Sequence, residues 1–414
     1  MSIKRLIPGI ILLLLLVASC GTTGNALPTA GNGTSHPLAN PPTQPSLTTP
    51  PSPHENLVFQ CLPILASVPN SLRISGQIIL RDYRRTRSLF ALDPSNGQTT
   101  EILRSSGSRP LTIAAVSPDR QLLAYLDRGS SGHADGLVIV DSDFVTLKAI
   151  SCQTSWLDIE NWLNNQQLAL FNLDPETSMV IFDWITSQEM PISFNQFPDF
   201  SNSVRHPWVE FDPTMQLVLY QIEGNEYSLF DLTSKKSVAT LPAWTAKAPD
   251  ASWSVDGGFV AVTGPSPKYY DNRGGSDEIF AISRNGQVEQ VTHLADYYGR
   301  GLGLYSPRWS PDGKQLAFWV QHEANGTLDH VLAIVDTTTK TTTNFCISSD
   351  PSGYGGEFDE SLPAPIWSPD GKQIIVENRF SHDHNRVVLV DLPNKIAVEI
   401  AQDARPVGWM AAQP

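Results

Sequence analysis

Polar turns and short apolar runs alternate along most of the chain, and the pattern recurs at roughly 40 to 60 residues, an interval typical of repeat proteins. The clearest unit is residues 309–318, Trp-Ser-Pro-Asp-Gly-Lys-Gln-Leu-Ala-Phe, which residues 367–376 repeat almost unchanged. In this unit Pro presets φ for a turn, Asp accepts hydrogen bonds from the backbone ahead, and Gly supplies a positive φ. The apolar residues that follow predict a strand. The unit therefore predicts a tight turn between two strands.

Weaker copies precede these two units, at residues 116–125, 162–171, 211–220 and 253–262. After each copy comes a second apolar segment, such as Val331–Val335 or Val387–Val390, then a turn and a further strand. Each repeat thus predicts four antiparallel strands. Four such strands in a repeat of this length are typical of a β-propeller blade.

The two ends of the repeat region together predict a further blade. Residues 76–103 contain three strand-like segments and the turn Asp93–Gly97, but no first strand. Residues 405–410, which include Trp409, have the character of the missing first strand. Joining both ends in one blade closes the ring and removes an unpaired sheet edge. We therefore predict an all-β fold, a single seven-bladed propeller over residues 76–414, with six or eight blades as the alternatives.

The Trp-Ser-Pro-Asp-Gly-Lys-x-Leu-Ala-Phe unit resembles the TolB-type propeller repeat of bacterial envelope proteins, over about residues 76–410. The resemblance implies a fold and a location in the envelope more than an activity. TolB pairs its propeller with an N-terminal α/β domain, for which residues 56–75 are too few; we predict that they form a lead-in segment. Propellers of this repeat type also precede serine peptidase domains, but this sequence contains no Gly-x-Ser-x-Gly elbow.

The N-terminal residues have the pattern of an export signal. Lys4 and Arg5 precede the apolar run Ile10–Val17, which is too short for a permanent membrane span, and small residues follow. The next residue is Cys20, and this order resembles a bacterial lipoprotein signal. The resemblance implies cleavage of residues 1–19 and lipidation of Cys20. We therefore expect an extracytoplasmic protein anchored by lipid to the cell membrane, the outer membrane if the organism has one. The alternative is an ordinary secretory signal with an incidental Cys.

Residues 20–55 follow, rich in Pro and Thr and with Glu55 as their only charge, and this composition predicts a disordered tether. The whole chain carries a net charge of −14, which argues against a nucleic-acid partner because phosphates require a Lys/Arg-rich face.

Three cysteines remain besides the lipidated one, so at most one disulfide can form within the chain. Cys152 and Cys346 belong to predicted blades far apart around the ring, which argues against their pairing. Pairing of Cys61 with either of them stays open.

Strand order predicts two unlike faces. The first-to-second and third-to-fourth turns lie on one face and are tight, whereas the second-to-third turns and the links between blades lie on the other. That second set includes residues 264–277, 295–306, 321–330, 348–364 and 378–386, which are longer. Because long loops on a rigid scaffold commonly bind partners, we predict that the binding surface lies on this long-loop face.

Tyrosines with nearby charged residues mark three neighbouring loops of that face. Tyr has an apolar face and a polar tip, suited to stacking on sugar rings or anchoring a peptide. The alternative is that these side chains pack the loops against one another. The candidate binding residues are Tyr269, Tyr270, Arg273, Tyr297, Tyr298, Arg300, Tyr305, Tyr354 and Glu357.

A metal site is the other candidate chemistry. His382 and His384 could supply ligands for zinc or manganese, although alternating His residues in a short hairpin are more often solvated surface. We predict no cofactor and no catalytic residue. The predicted function is a monomeric, non-catalytic binding or scaffold module for an envelope protein or glycan. The alternative is a metal-assisted polysaccharide lyase or hydrolase acting on the same face.

Overall fold

The computed structural model describes residues 56–69, 72–82, 88–104, 114–128, 134–151, 156–172, 179–200, 209–222, 226–241, 251–269, 275–324, 327–349, 363–381 and 384–412. Within these ranges the fold is almost entirely β. Seven sheets, each with four antiparallel strands, form the blades, and this arrangement confirms the predicted fold. No helix in the described ranges is both long and apolar enough to cross a membrane.

Two strands precede the blades, β1 (Leu57–Phe59) and β2 (Ile64–Leu65). Blades 1 to 3 contain, in chain order, β3 (Gln77–Asp82), β4 (Ser88–Asp93) and β5 (Gln98–Arg104); β6 (Ala114–Val116), β7 (Leu122–Arg128), β8 (Ala134–Asp141) and β9 (Thr146–Ser151); and β10 (Trp156–Trp162), β11 (Gln167–Asn172), β12 (Met179–Asp183) and β13 (Gln188–Ile192). A 3-10 helix, Phe194–Gln196, follows blade 3.

Blades 4 and 5 contain β14 (Val209–Phe211), β15 (Leu217–Gln221), β16 (Tyr227–Asp231) and β17 (Lys236–Leu241), then β18 (Ala251–Trp253), β19 (Phe259–Pro265), β20 (Asp277–Ser283) and β21 (Val288–Gln290). Helix α1 (Ala295–Tyr298) leads into blade 6, which contains β22 (Leu302–Trp309), β23 (Gln315–Ala324), β24 (Thr327–Asp336) and β25 (Thr342–Ser349). Blade 7 contains β26 (Ile366–Trp367), β27 (Gln373–Ser381), β28 (His384–Asp391) and β29 (Ile396–Gln402), and the final strand is β30 (Ala404–Met410).

The ring closes as predicted, through strands from both ends of the repeat region. Strand β30 pairs antiparallel with β3, from Gln77 opposite Met410 to Asp82 opposite Ala404. Trp409 and Met410 are each only 1% exposed, so the closing strand contributes to the core as well as to the sheet.

The lead-in segment has a structure that the sequence did not predict. Strand β1 pairs parallel with β25, and β2 pairs parallel with β29, so blades 6 and 7 each gain a fifth, outer strand. Between them a disulfide joins Cys61 to Cys346 of β25, with the two Cα atoms 4.7 Å apart. Of the two pairings left open, this is the one found; Cys152 lies outside the described residues.

The repeated motif forms the turn that its composition predicts. In blade 6 the Ser310 hydroxyl donates to Asp312 Oδ1 at 2.7 Å, and the same carboxylate accepts the Lys314 backbone N–H at 3.2 Å. Gly313 has φ +69°. Ser310 also accepts the Gln315 backbone N–H at 2.9 Å. The motif's Ser and Asp therefore hold both sides of the turn, and the Asp has a structural role.

The motif tryptophans connect adjacent blades. The indole N–H of Trp162 donates to Ala115 O, that of Trp309 to Ser252 O and that of Trp367 to Arg308 O, at 2.9, 2.9 and 3.0 Å. In each pair the acceptor is the residue immediately before the aromatic position of the preceding blade. These bonds hold the first strands of neighbouring blades together around the centre of the ring.

Two segments predicted as long loops are mostly strand. Strand β23 continues to Ala324 and β24 begins at Thr327, so residues 321–324 pair with residues 327–330. Residues 378–386 lie largely in β27 and β28, with Arg379 paired opposite Asn385. The cross-strand pairing continues past the point where the apolar pattern stops, so that pattern alone predicted loops there.

Candidate functional site

A cavity of about 570 Å³ lies among the first strands of blades 2 to 6. First strands of neighbouring blades contact one another, β6 with β10 and β18 with β22, which places them around the centre of the ring. The volume falls within the range of about 300–1,000 Å³ typical of small-molecule sites.

The cavity lies toward the tight-turn face. Its wall includes Asp119, Asn164, Pro213 and Val255, all of which belong to first-to-second turns. The binding surface predicted from the sequence lies on the opposite face, and the sequence pattern did not predict a cavity here.

Charged groups from four blades line this cavity. They are Glu160 on β10, Glu210 on β14, Arg308 on β22 and Asp119 in the turn between β6 and β7. Asn161 links the first two blades, because its Nδ2 donates to Glu210 Oε1 at 3.1 Å. Arg308 is held against the wall, with Nη1 donating to the carbonyl oxygens of Ala251 and Pro307 at 3.2 and 2.9 Å.

Glu210 has an unusual protonation equilibrium. Burial in the cavity wall, together with the negative charge of Glu160, raises the pKa of Glu210 to about 8. The charge of Arg308 and the hydrogen bond from Asn161 oppose this rise but do not cancel it. At pH 7 this carboxyl group therefore carries a proton most of the time.

Two further polar atoms of the cavity residues are buried without a hydrogen-bond partner in the protein, Asn161 Oδ1 and Trp253 Nε1. The second differs from the indole groups of Trp162, Trp309 and Trp367, which all donate to the preceding blade. Buried polar groups normally have hydrogen-bond partners, so these two atoms are exceptions. A ligand in the cavity could supply the partners that the protein does not.

The predicted tyrosine surface is partly described. Tyr297 and Tyr298 lie on α1, and Tyr269 and Tyr298 both pack against the core between blades 5 and 6. The Tyr298 hydroxyl accepts from Asn344 Nδ2 at 3.2 Å. Tyr297 is 45% exposed, and its ring centroid lies 5.8 Å from that of Phe59, which is 50% exposed.

The other tyrosine-surface candidates do not all join this group. Tyr305 lies within β22 rather than in a loop; its hydroxyl donates to Gln321 Oε1 at 2.6 Å, and it packs against the core between blades 6 and 7. Arg300 is exposed. Tyr270, Arg273, Tyr354 and Glu357 lie outside the described residues.

Glu278 anchors the segment that carries the helix tyrosines. This buried carboxylate on β20 accepts the Thr292 hydroxyl at 2.5 Å and the backbone N–H groups of Leu294 and Ala295 at 3.1 and 2.7 Å. Burial raises the pKa of Glu278 to about 7, although these hydrogen bonds act in the opposite direction. The position of α1 therefore depends on a buried side chain of blade 5.

The candidate metal ligands are described only in part. His384 is exposed, its ring stacks on Phe380 with centroids 6.0 Å apart, and its Nδ1 lies 4.0 Å from Asp403 Oδ1. His382 lies outside the described residues. Among the residues that the structure describes, no group of three or more His, Cys, Asp or Glu side chains is arranged to hold a metal.

Comparison with known proteins finds likeness only among solved structures. No family model and no curated protein matches the chain. TolB from Acinetobacter baumannii is 18% identical, with 82% of this chain and 67% of that chain covered and a TM-score of 0.41. The β-propeller domain of Myceliophteria thermophila Cps50 (Swd1) is 10% identical, covering 78% and 99%, with a TM-score of 0.46.

A putative 6-phosphogluconolactonase from Bacteroides fragilis is 14% identical, with 84% of this chain and all of that chain covered, and its TM-score is 0.49. At these identities and scores the likenesses carry no information about what this chain binds. The chain is a seven-bladed β-propeller. Its function has to be argued from its own residues.

Proposed function

We propose that this chain is a lipid-anchored, non-catalytic binding module of the bacterial cell envelope. The central cavity is the observation that carries the proposal. It has the volume of a ligand site and holds charged groups from four blades on a closed ring. Side chains fixed on strands are held more precisely than side chains on loops, which favours selective binding.

Two observations support the envelope location. The residues up to Cys20 have the order of a lipoprotein signal, and a Pro/Thr-rich segment follows them. The Cys61–Cys346 disulfide fits an oxidising compartment, because cytosolic thiols are usually kept reduced. On this proposal the tether lets the propeller stand away from the membrane that holds its lipid.

The long-loop face provides a second contact surface in the same proposal. Tyr297 and Phe59 expose adjacent aromatic rings, and the exposed Arg300 follows Tyr297 by three residues; such groups are enriched where proteins contact peptides or other proteins. The proposed partner there is an envelope protein or a glycan.

Binding by the full chain tests the proposal. Glycan arrays and pull-downs from solubilised envelopes are performed with the wild type, with Glu210→Gln in the cavity and with Tyr297→Ala on the long-loop face. We expect a specific glycan or protein to be retained and one of the two variants to lose it. A full chain that retains neither class of partner contradicts the binding function.

Anchoring is tested separately. Cys20→Ser should move the protein from the membrane fraction to the soluble extracytoplasmic fraction and abolish incorporation of labelled palmitate. An unchanged membrane fraction contradicts lipid anchoring. Turnover of acidic oligosaccharides, with and without added zinc or manganese, tests the non-catalytic part: cleavage would replace it with the lyase or hydrolase alternative.

A further inference from the structure

We propose that the central cavity binds a small monocationic ligand through a primary ammonium or guanidinium group placed among Glu160, Glu210 and Asn161. The inference rests on the proposed binding function and adds the chemical class of the ligand. Four properties of the described residues support it: the acceptors, the charges, the aromatic wall and the proton held by Glu210.

The unpartnered acceptor shares the cavity wall with two carboxyl groups. Asn161 Nδ2 is used in the bond to Glu210 Oε1, so its amide orientation is fixed and the buried Oδ1 is left without a donor. Glu160 precedes Asn161 on the same strand and acts on Glu210 through its charge. An ammonium group offers three N–H donors and no acceptor, which complements such a set.

The charge balance favours one positive charge on the ligand. The cavity wall carries three carboxyl groups, Asp119, Glu160 and Glu210, against the single guanidinium of Arg308. Nη1 of that guanidinium is already bonded to two backbone carbonyls. Its effect on Glu210 is smaller than that of Glu160, so these two charges together favour a positive charge near Glu210. Arg308 nevertheless disfavours a second positive charge, which argues against polyamines.

Trp253 provides an aromatic surface in the same wall. An indole ring attracts a cation placed over its face within about 6 Å of its centroid. Its buried N–H lacks a partner and can donate to a polar atom elsewhere on the ligand. The ligand is therefore expected to combine a cationic end with an apolar or aromatic body.

Glu210 couples binding to proton release. Burial and the charge of Glu160 keep its carboxyl group protonated at neutral pH, and Arg308 and Asn161 only partly oppose them. A bound cation stabilises the carboxylate and displaces the proton. Affinity should therefore increase as the pH rises toward and through about 8, as long as the ligand keeps its own charge.

Three probes of one size separate the possible ligand classes. Benzylamine, benzyl alcohol and benzoate share a ring and carry a positive, neutral and negative group. In calorimetric titrations of the full chain we expect benzylamine to bind at least about tenfold more tightly than either of the others, and about tenfold more tightly at pH 8.5 than at pH 6.5. Titrations in buffers of different ionisation heat should show release of up to one proton per ligand at pH 7.

Glu210→Gln should weaken benzylamine binding about tenfold or more and abolish its dependence on pH. The matched control is Glu289→Gln, which makes the same chemical change at an exposed residue of blade 5 outside the cavity wall and should leave binding unchanged. Circular dichroism of both variants confirms that the propeller is folded.

Equal binding of benzylamine and benzyl alcohol, tighter binding of benzoate, or no effect of Glu210→Gln overturns the inference. If no probe binds but the full chain still captures a partner that Tyr297→Ala releases, the ligand class is wrong and the binding function stands. If no probe binds and the full chain captures no partner, both are wrong.

Discussion

Glu210 connects the cavity to the stability of the whole fold. Its pKa rises from 4.5 to about 8, so the folded protein keeps a proton that the unfolded chain releases between these values. Wild-type stability should therefore fall as the pH rises from about 4.5 to 8, and this contribution should stay constant above that window.

Glu210→Gln removes this dependence because Gln has no proton to release. We expect the stability of the variant relative to the wild type to increase as the pH rises from 5 to 9, by about 1–2 kcal/mol at pH 9, a value reduced from the full shift because Glu210 keeps some solvent exposure. Urea denaturation at pH 5, 7 and 9 measures the gain. Glu289→Gln is the control, and a difference that does not change with pH contradicts the assignment.

A second prediction for single residues follows from the tryptophan hydrogen bonds. Trp309→Phe removes a 2.9 Å bond to Ser252 O and leaves that acceptor buried, whereas Trp253→Phe removes an indole nitrogen that has no partner. We expect Trp309→Phe to cost about 1–2 kcal/mol more in unfolding free energy than Trp253→Phe. Guanidinium denaturation of both variants measures the difference, and equal losses would mean that the interblade bond contributes little.

Residue types predicted the turns but not the cavity. Asp312 and Gly313 form the bonds and the positive φ that their positions imply, because turn chemistry is local. Glu160, Glu210 and Arg308 belong to three different repeats, so nothing local indicates that they meet. One signal was present: the residue just before the motif aromatic is polar in four repeats, at Asn161, Glu210, Ser252 and Arg308, and all four line the cavity.

Among the elements, the outer strands β1 and β2 were the least predictable. They are three and two residues long, lie outside the repeat and pair parallel with strands far along the chain, Leu57 opposite Thr342 and Ile64 opposite Ala397. A short apolar run without a repeated partner does not reveal which sheet edge it joins. The repeated elements, by contrast, could be assigned to blades because each copy identified the others.

Cys61→Ser tests the outer strands. Loss of the disulfide removes a covalent link between residues 285 positions apart, and the unfolded chain gains conformational freedom. We expect the unfolding free energy to fall by about 2–4 kcal/mol and the amides of β1 to exchange faster. Cys152→Ser, which leaves the Cys61–Cys346 bond in place, is the matched control. Equal stability of both variants would show that the outer strand is held by pairing alone.

At the scale of the whole molecule, we expect the cooperativity of unfolding to depend on ring closure. Removing residues 404–414 takes away β30, exposes the edge of β3 and removes the buried side chains of Trp409 and Met410. We expect a loss on the order of 5 kcal/mol or more, comparable with the stability of many domains. Removal of residues 413–414 alone is the control.

Size-exclusion chromatography and guanidinium denaturation measure this loss. If the variant lacking residues 404–414 elutes as a monomer and unfolds with an unchanged midpoint, the proposed role of β30 is contradicted. Closure itself was predictable from the sequence, because residues 76–103 lacked one strand and residues 405–410 supplied one. The sequence could not predict on which face the centre of the ring holds a cavity, because that depends on side chains from five blades.

The pairing of β30 with β3 also sets an order in time. A ribosome makes residues 77–82 long before residues 404–410, so the first blade remains incomplete until its last-made strand arrives. Six blades can assemble in sequence, but the circle cannot lock while synthesis continues. Such a chain stays open at one seam throughout its production, and this fits the proposed export, because a propeller that is not yet closed can be threaded through a translocation channel.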